Sequence, residues 1–167
     1  LALWRVREED ELFAAIDALE RAIVADPGFV QPWGALAMTY SVLPGYSLRL
    51  AESEAYLRGL DAAQRALALD PTLAEAYMAM GNMAALTGRR QTAVALLRRA
   101  IELRPSSASA HQWLGTTLVE SGYLEEGIAS LERAAELDPR SVIVASNRAQ
   151  MLAIAGRDED AIAVCMP

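Results

Sequence analysis

The sequence predicts an all-α protein built from repeated helix–turn–helix units. Three observations carry that reading. The chain has 167 residues, 53% of them apolar, with alanine roughly a fifth of the total and leucine abundant. Both are strong helix formers, whereas the β-branched and aromatic residues that favour strands are sparse. Leu69-Asp70-Pro71, Leu103-Arg104-Pro105 and Leu137-Asp138-Pro139 place a proline every 34 residues. Gly88, Gly122 and Gly156 keep the same interval, and a period of this length marks stacked helix pairs.

The elements follow in order. A first helix is expected over about Glu8–Ala25, with Glu8, Glu9, Asp10 and Glu11 complementing the dipole at its start. Pro27 and Gly28 follow it. Helices over Val30–Val42 and Glu52–Leu69 form the next pair. Pro27 precedes Pro71 by 44 residues, one period plus ten, so ten extra residues fall around Ser41–Ala51, where Pro44 and Gly45 argue for a loop. The third pair is Leu73–Thr87 with Arg90–Leu103, and the fourth Ser107–Ser121 with Leu124–Leu137. The last is Ser141–Ala155 with Asp158–Cys165, its second helix opened by Asp158, Glu159 and Asp160. Gly88, Gly122 and Gly156 each end a first helix in a left-handed conformation. Ser106, Ser107 and Ser141 are placed to cap the helices that follow.

The residues within each period agree as well. Tyr77-x-x-Met80-Gly81-x-x-Ala84, Ala93-x-x-x-Leu97 and Pro105 make one copy. His111-x-x-Leu114-Gly115-x-x-Leu118, Gly127-x-x-x-Leu131 and Pro139 make the next. Trp33-x-x-Leu36-Ala37-x-x-Tyr40 with Gly59-x-x-x-Ala63, and Ala145-x-x-Arg148-Ala149-x-x-Leu152 with Ala161-x-x-x-Cys165, are modified copies. The runs resemble the tetratricopeptide repeat pattern. Small residues at Ala37, Gly81, Gly115 and Ala149, and at Ala93, Gly127 and Ala161, let paired helices approach. Large ones such as Leu97, Leu114 and Leu131 fill the seams. One repeat domain over 1–167 results: a truncated leading unit (1–27), a unit with a loop insertion near 41–51 (28–71), two regular units (72–105 and 106–139) and a truncated last unit (140–167).

The resemblance implies a right-handed α-α superhelix of about four units whose concave groove is lined by the first helices. Mapped onto this chain, that face carries Gln31, Gly34, Met38 and Ser41; then Glu75, Met78, Asn82, Ala85 and Leu86; then Ser109, Gln112, Thr116, Val119 and Glu120; then Ile143, Ser146, Gln150, Ala153 and Ile154. The candidate partner-binding residues are Met38, Glu75, Met78, Asn82, Leu86, Gln112, Thr116, Val119, Ser146 and Gln150. Apolar side chains exposed beside amides and hydroxyls suit an amphipathic helix or extended peptide. The family's clamp for chaperone C-termini uses Lys, Asn and Arg. The chain has no Lys, and only Asn82 matches, so that clamp is not expected.

Composition narrows the partners. The formal net charge is −7, which opposes the basic footprint that nucleic-acid or anionic-lipid binding needs. The uncharged stretch from Pro27 to Leu48 is interrupted by three prolines and three glycines, so membrane insertion is not expected. One His and one Cys build no zinc site, and neither a phosphate loop nor a nucleophile motif is present. No cofactor, metal or catalytic residue is expected, and the chain reads as a non-enzyme. His111 reads as a packed, hydrogen-bonded ring and Cys165 as a core or end thiol. Arg148 occupies a seam position, its stem packed and its guanidinium reaching a carboxylate or carbonyl. Arg89, Arg90, Arg98, Arg99 and Arg104 read as a solvated face, with Arg98 paired to Glu102 one turn on.

The sequence thus points to a protein or peptide as partner and to a cytoplasmic scaffold. One alternative is an accessory repeat region of a larger enzyme or regulator, a form that bacterial signalling proteins resemble. The other is self-association through Ala161, Ile162 and Val164. The opening Leu1-Ala2-Leu3-Trp4 shows no charged leader and reads as the start of a segment or processed chain.

Overall fold

The computed structural model describes residues 2–165, and side chains from Glu9 to Val164. The readings of Glu8 and of the Cys165 thiol fall outside those side chains. The described residues form α1 (Ala2–Ala25), α2 (Val30–Val42), a 3-10 turn (Leu43–Gly45), α3 (Glu52–Leu69), α4 (Ala74–Leu86), α5 (Arg90–Leu103), α6 (Ala108–Glu120), α7 (Leu124–Leu137), α8 (Val142–Ile154) and α9 (Asp158–Cys165), with no strand among them. The fold is an all-α helical repeat. α1 begins six residues before its expected start, because nothing in Ala2–Arg7 breaks a helix.

The chain divides into two compact units, residues 1–83 and 84–167, with the division inside α4. In the first unit α2 packs against both α1 and α3. Its core sets Leu36, Tyr40 and Leu43 among buried alanines such as Ala37, Ala63 and Ala66, so small side chains bring the helix axes close. The ten-residue insertion is ordered against α1. Leu43 is buried under the 3-10 turn. The Ser47 hydroxyl donates to the Glu9 carboxylate. Arg49 pairs with Glu9 at 3.2 Å and Asp10 at 2.9 Å, with its guanidinium 5.6 Å from the Phe13 ring centre. Each contact joins residues about 40 positions apart, so nothing local foretold it.

In the second unit α5, α6, α7, α8 and α9 pack in sequence. One cluster joins Leu97, Leu114 and Leu118. A second joins Val119, Ile128, Leu131, Met151 and Leu152 with Ala161. The three periodic glycines have φ of 77°, 90° and 74°, and each closes its helix in the same way. At Gly122 the Gly122 N–H donates to the Val119 carbonyl and the Tyr123 N–H to the Leu118 carbonyl, both at 2.9 Å. The Gly88 and Gly156 turns repeat that pair of bonds, the double closure that satisfies the last helical carbonyls.

At helix starts, Ser107 accepts from the Ala110 N–H and Ser141 from the Val144 N–H. Ser107→Ala and Ser141→Ala should each cost about 1 kcal/mol, read as a lowered urea midpoint at unchanged slope. Ser106 makes no such cap, since it lies one residue too early for α6.

The aromatic position of the repeat has a definite task. The Trp33 indole N–H donates to the Pro27 carbonyl, the Tyr77 hydroxyl to the Pro71 carbonyl, and His111 Nε2 to the Pro105 carbonyl, each at 3.1 Å. The ring reaches back six residues and satisfies a carbonyl in the turn between repeats. His111 is therefore the hydrogen-bonded ring the sequence suggested. Its Nε2 carries the proton, because a carbonyl only accepts.

Candidate functional site

The expected binding face is borne by the first helix of each pair. In the first unit Gln31 is exposed, while Met38 and Glu75 are half-buried. Met78 is 4% exposed. Asn82 is buried, and its amide donates to the Ser41 carbonyl at 3.1 Å. Met78 and Asn82 thus offer no open surface, contrary to expectation. The Asn82 amide ties α4 to the end of α2, where Ser41 in turn donates to the Met38 carbonyl at 2.8 Å.

In the second unit Leu86, Ser109 and Glu120 are exposed. Thr116 is half-buried, its hydroxyl donating to the Trp113 carbonyl at 3.1 Å. Gln112 and Val119 are buried. Val119 belongs to the core because α7 passes directly over it: a Cβ built on Gly127 would lie 2.6 Å from Val119 Cγ2. The whole expected stripe of α8 is open. Ile143, Ser146, Gln150, Ala153 and Ile154 are all exposed, the isoleucines at 57% and 56%. Their spacing puts them on one helix face, apolar at both ends and polar between. α8 also packs on α6, whose Thr116 shares that repeat position.

Charges elsewhere are paired differently from the local expectation. Arg98 pairs with Glu126 on α7, not with Glu102, which instead takes Arg99 at 2.9 Å. The packing of α7 beside α5 supplies a carboxylate that helix spacing alone does not reveal. Arg148 is half-buried and reaches Glu132 at 4.0 Å, as its seam position implies. Burial pushes the Tyr40 phenol up, opposed by the Arg58 guanidinium. Burial, with Glu52 beside it, pushes Tyr56 up to about 12. Hydrogen bonds from Thr72 hold Asp70 below the usual carboxylate range. Among the described residues no group of three His, Cys, Asp or Glu side chains could hold a metal. No described helix is long and apolar enough to cross a membrane.

Sequence reasoning missed two clefts. One, of about 620 Å3, lies between α5 and α7 and includes Val94, Arg98, Leu118, Tyr123 and Glu126. The other, of about 540 Å3, lies between α1 and α3 over α2. Both are bounded by second helices of successive pairs, so no short motif marks them.

Comparison with known proteins places the fold. No curated protein matches the chain. Solved structures do. TTC0263, a thermophilic TPR protein of Thermus thermophilus, is 22% identical, covering 98% of this chain and 88% of its own at a TM-score of 0.73. YrrB, described as a TPR protein with an unusual peptide-binding site, is 20% identical, covering 95% and 77% at 0.59. The O-GlcNAc transferase of Thermobaculum terrenum is 31% identical over 74% of this chain, which spans 23% of that enzyme, at 0.62. Residues 74–107 match one tetratricopeptide repeat family and residues 114–165 a second of the same description. Period, glycine closures, proline-bonded rings and these matches agree: the chain belongs to the tetratricopeptide repeat family.

Proposed function

We infer that this chain is a protein-interaction module that holds a peptide or amphipathic helix of another protein on the faces of its first helices. The open stripe of α8 carries the reading. Ile143 and Ile154 stand exposed at its ends with Ser146 and Gln150 between them, a pattern of apolar anchors around hydrogen-bonding groups that suits a peptide. YrrB, with its peptide-binding site, gives a precedent on a similar fold. Within the second unit Leu86 and Thr116 extend the proposed surface, and the buried Gln112 and Val119 support it. The net charge of −7 supports a protein partner over nucleic acid. A cytoplasmic setting belongs to the same proposal and is checked by cell fractionation.

Ile143→Glu combined with Ile154→Glu tests it. Both side chains are exposed, so helicity by circular dichroism should be unchanged. Partners recovered with the full chain, identified by mass spectrometry, should fall at least tenfold with the variant. Unchanged recovery would remove this face from consideration.

The likeness to part of an O-GlcNAc transferase favours a second reading, an accessory repeat region of a larger enzyme. The full-length gene decides it. Self-association is the third reading. Ile162 is exposed, but Ala161 is buried and Val164 half-buried, because α9 turns both towards α8. Light scattering across the micromolar range, with Ile162→Glu as the control, tests it.

A further inference from the structure

The cleft between α1 and α3 is a second surface, separate from the one just proposed. Its floor is Leu36 and Tyr40 of α2, with Trp33 beside them. Ile23 and Val24 of α1 form one wall, and Leu57 of α3 stands on the other. The floor is buried, yet Val24 is 81% exposed and Leu57 65% exposed. Two large aliphatic side chains thus face one another across open space above an apolar floor. The volume of about 540 Å3 falls within the range of ligand-sized clefts.

The rim has a sign. Glu20 stands on the α1 side and Asp61 with Arg58 on the α3 side. Arg58 is already engaged, donating to Glu54 at 2.7 Å. Among the described residues Asp61 pairs only with Arg65, at 3.9 Å, and both side chains are two-thirds exposed. Glu20 accepts from the Tyr40 hydroxyl at 3.2 Å; Arg58 lies beside the same hydroxyl, but among the described residues no cation forms an ion pair with Glu20. An aliphatic channel with a carboxylate on each bank favours an occupant with aliphatic anchors flanked by cations. Each bank is a single helix face, Glu20–Ile23–Val24 and Leu57–Arg58–Asp61, so a third helix laid between them matches both.

We propose that this cleft docks a short amphipathic, basic helix of another protein, its aliphatic residues between Val24 and Leu57 and its lysines or arginines on Glu20 and Asp61. The surface uses the side of α2 that bears Trp33, Leu36 and Tyr40, and it stands whether or not the α8 stripe binds a peptide.

The test titrates the full chain against a fluorescein-labelled 14-residue Leu/Lys amphipathic helix and its Leu/Glu counterpart, read by anisotropy. The Trp33 indole N–H resonance, assigned through Trp33→Phe, serves as the local reporter. The Leu/Lys peptide should saturate and shift that resonance, and the Leu/Glu peptide should bind at least tenfold more weakly. Val24→Asn with Leu57→Asn should weaken the Leu/Lys peptide at least tenfold. Glu20→Lys with Asp61→Lys should do the same, while Glu125→Lys with Glu159→Lys, an equal charge change elsewhere, should leave affinity within twofold. All four carboxylate positions and both apolar ones lie at the surface, so the fold should survive, as circular dichroism will show. Equal weakening by the Glu125/Glu159 pair would mean attraction to net charge alone and overturn the proposal. So would unchanged binding by the Asn variant, or a dimer in light scattering that the Asn variant abolishes, which would make a second copy the occupant.

Discussion

Leu131→Ala should destabilise the protein by about 3–5 kcal/mol, the upper range for a leucine truncated in a core that cannot collapse. Leu131 is fully buried in the cluster with Val119, Ile128, Met151 and Leu152. Its side chain lies over Gly115, where a built Cβ would come 2.6 Å from Leu131 Cγ. The wall opposite is therefore backbone, which moves little into a vacated space. A loss of that size lowers Tm by roughly 6–20 °C in a chain of this length, measured by thermal circular dichroism. Leu48→Ala is the contrasting control. Leu48 is wholly exposed on the insertion, and its truncation should stay within about 0.5 kcal/mol. Hydrogen exchange should show the Leu131 loss in α6 to α9, since a repeat array answers to its neighbouring helices.

Gly127→Ala should cost about 1–3 kcal/mol, against the usual gain of roughly 1 kcal/mol when alanine replaces glycine inside a helix. The sign reverses because a Cβ at Gly127 would lie 2.8 Å from both the Gly115 carbonyl oxygen and the Val119 nitrogen. These are backbone atoms of α6, so α6 and α7 must separate to admit a single methyl. Gly59→Ala probes the same device between α2 and α3 more gently. There the nearest atoms are Tyr40 Cβ at 3.0 Å and the Met83 sulfur at 3.1 Å, and the flexible methionine end can yield. The urea midpoint should fall clearly for Gly127→Ala and less for Gly59→Ala. Equal midpoints would mean that the α6–α7 approach is looser than these distances.

Much of the fold was legible because its determinants are local and repeat. A left-handed glycine, a serine three residues before the N–H it caps, and a ring six residues after a proline are short-range constraints. The glycines and the capping serines recur at 34 residues, and the rings at 34 or, across the insertion, 44. Helix bounds therefore came within one or two residues from α2 onward. The site was less legible. Met78, Asn82, Gln112 and Val119 occupy the same repeat face as Ser146 and Gln150, yet the first four are buried and the last two exposed. A repeat position fixes the direction in which a side chain leaves its helix. It does not fix what lies in that direction. Asn82 is consumed by a carbonyl 41 residues away, and Arg98 prefers a carboxylate 28 residues away to one a turn along its own helix.

The sequence by itself determined the repeat, its helices, their closures and the small-and-large alternation that lets them stack, because those follow from backbone preferences and side-chain size at fixed spacing. Tertiary structure alone decided which groove residues stay open, how the insertion is fastened to α1 through Ser47 and Arg49, and that α1 and α3 leave an acidic-rimmed apolar cleft over α2. Exposure is a property of neighbours, and the neighbours that matter here come from other helices.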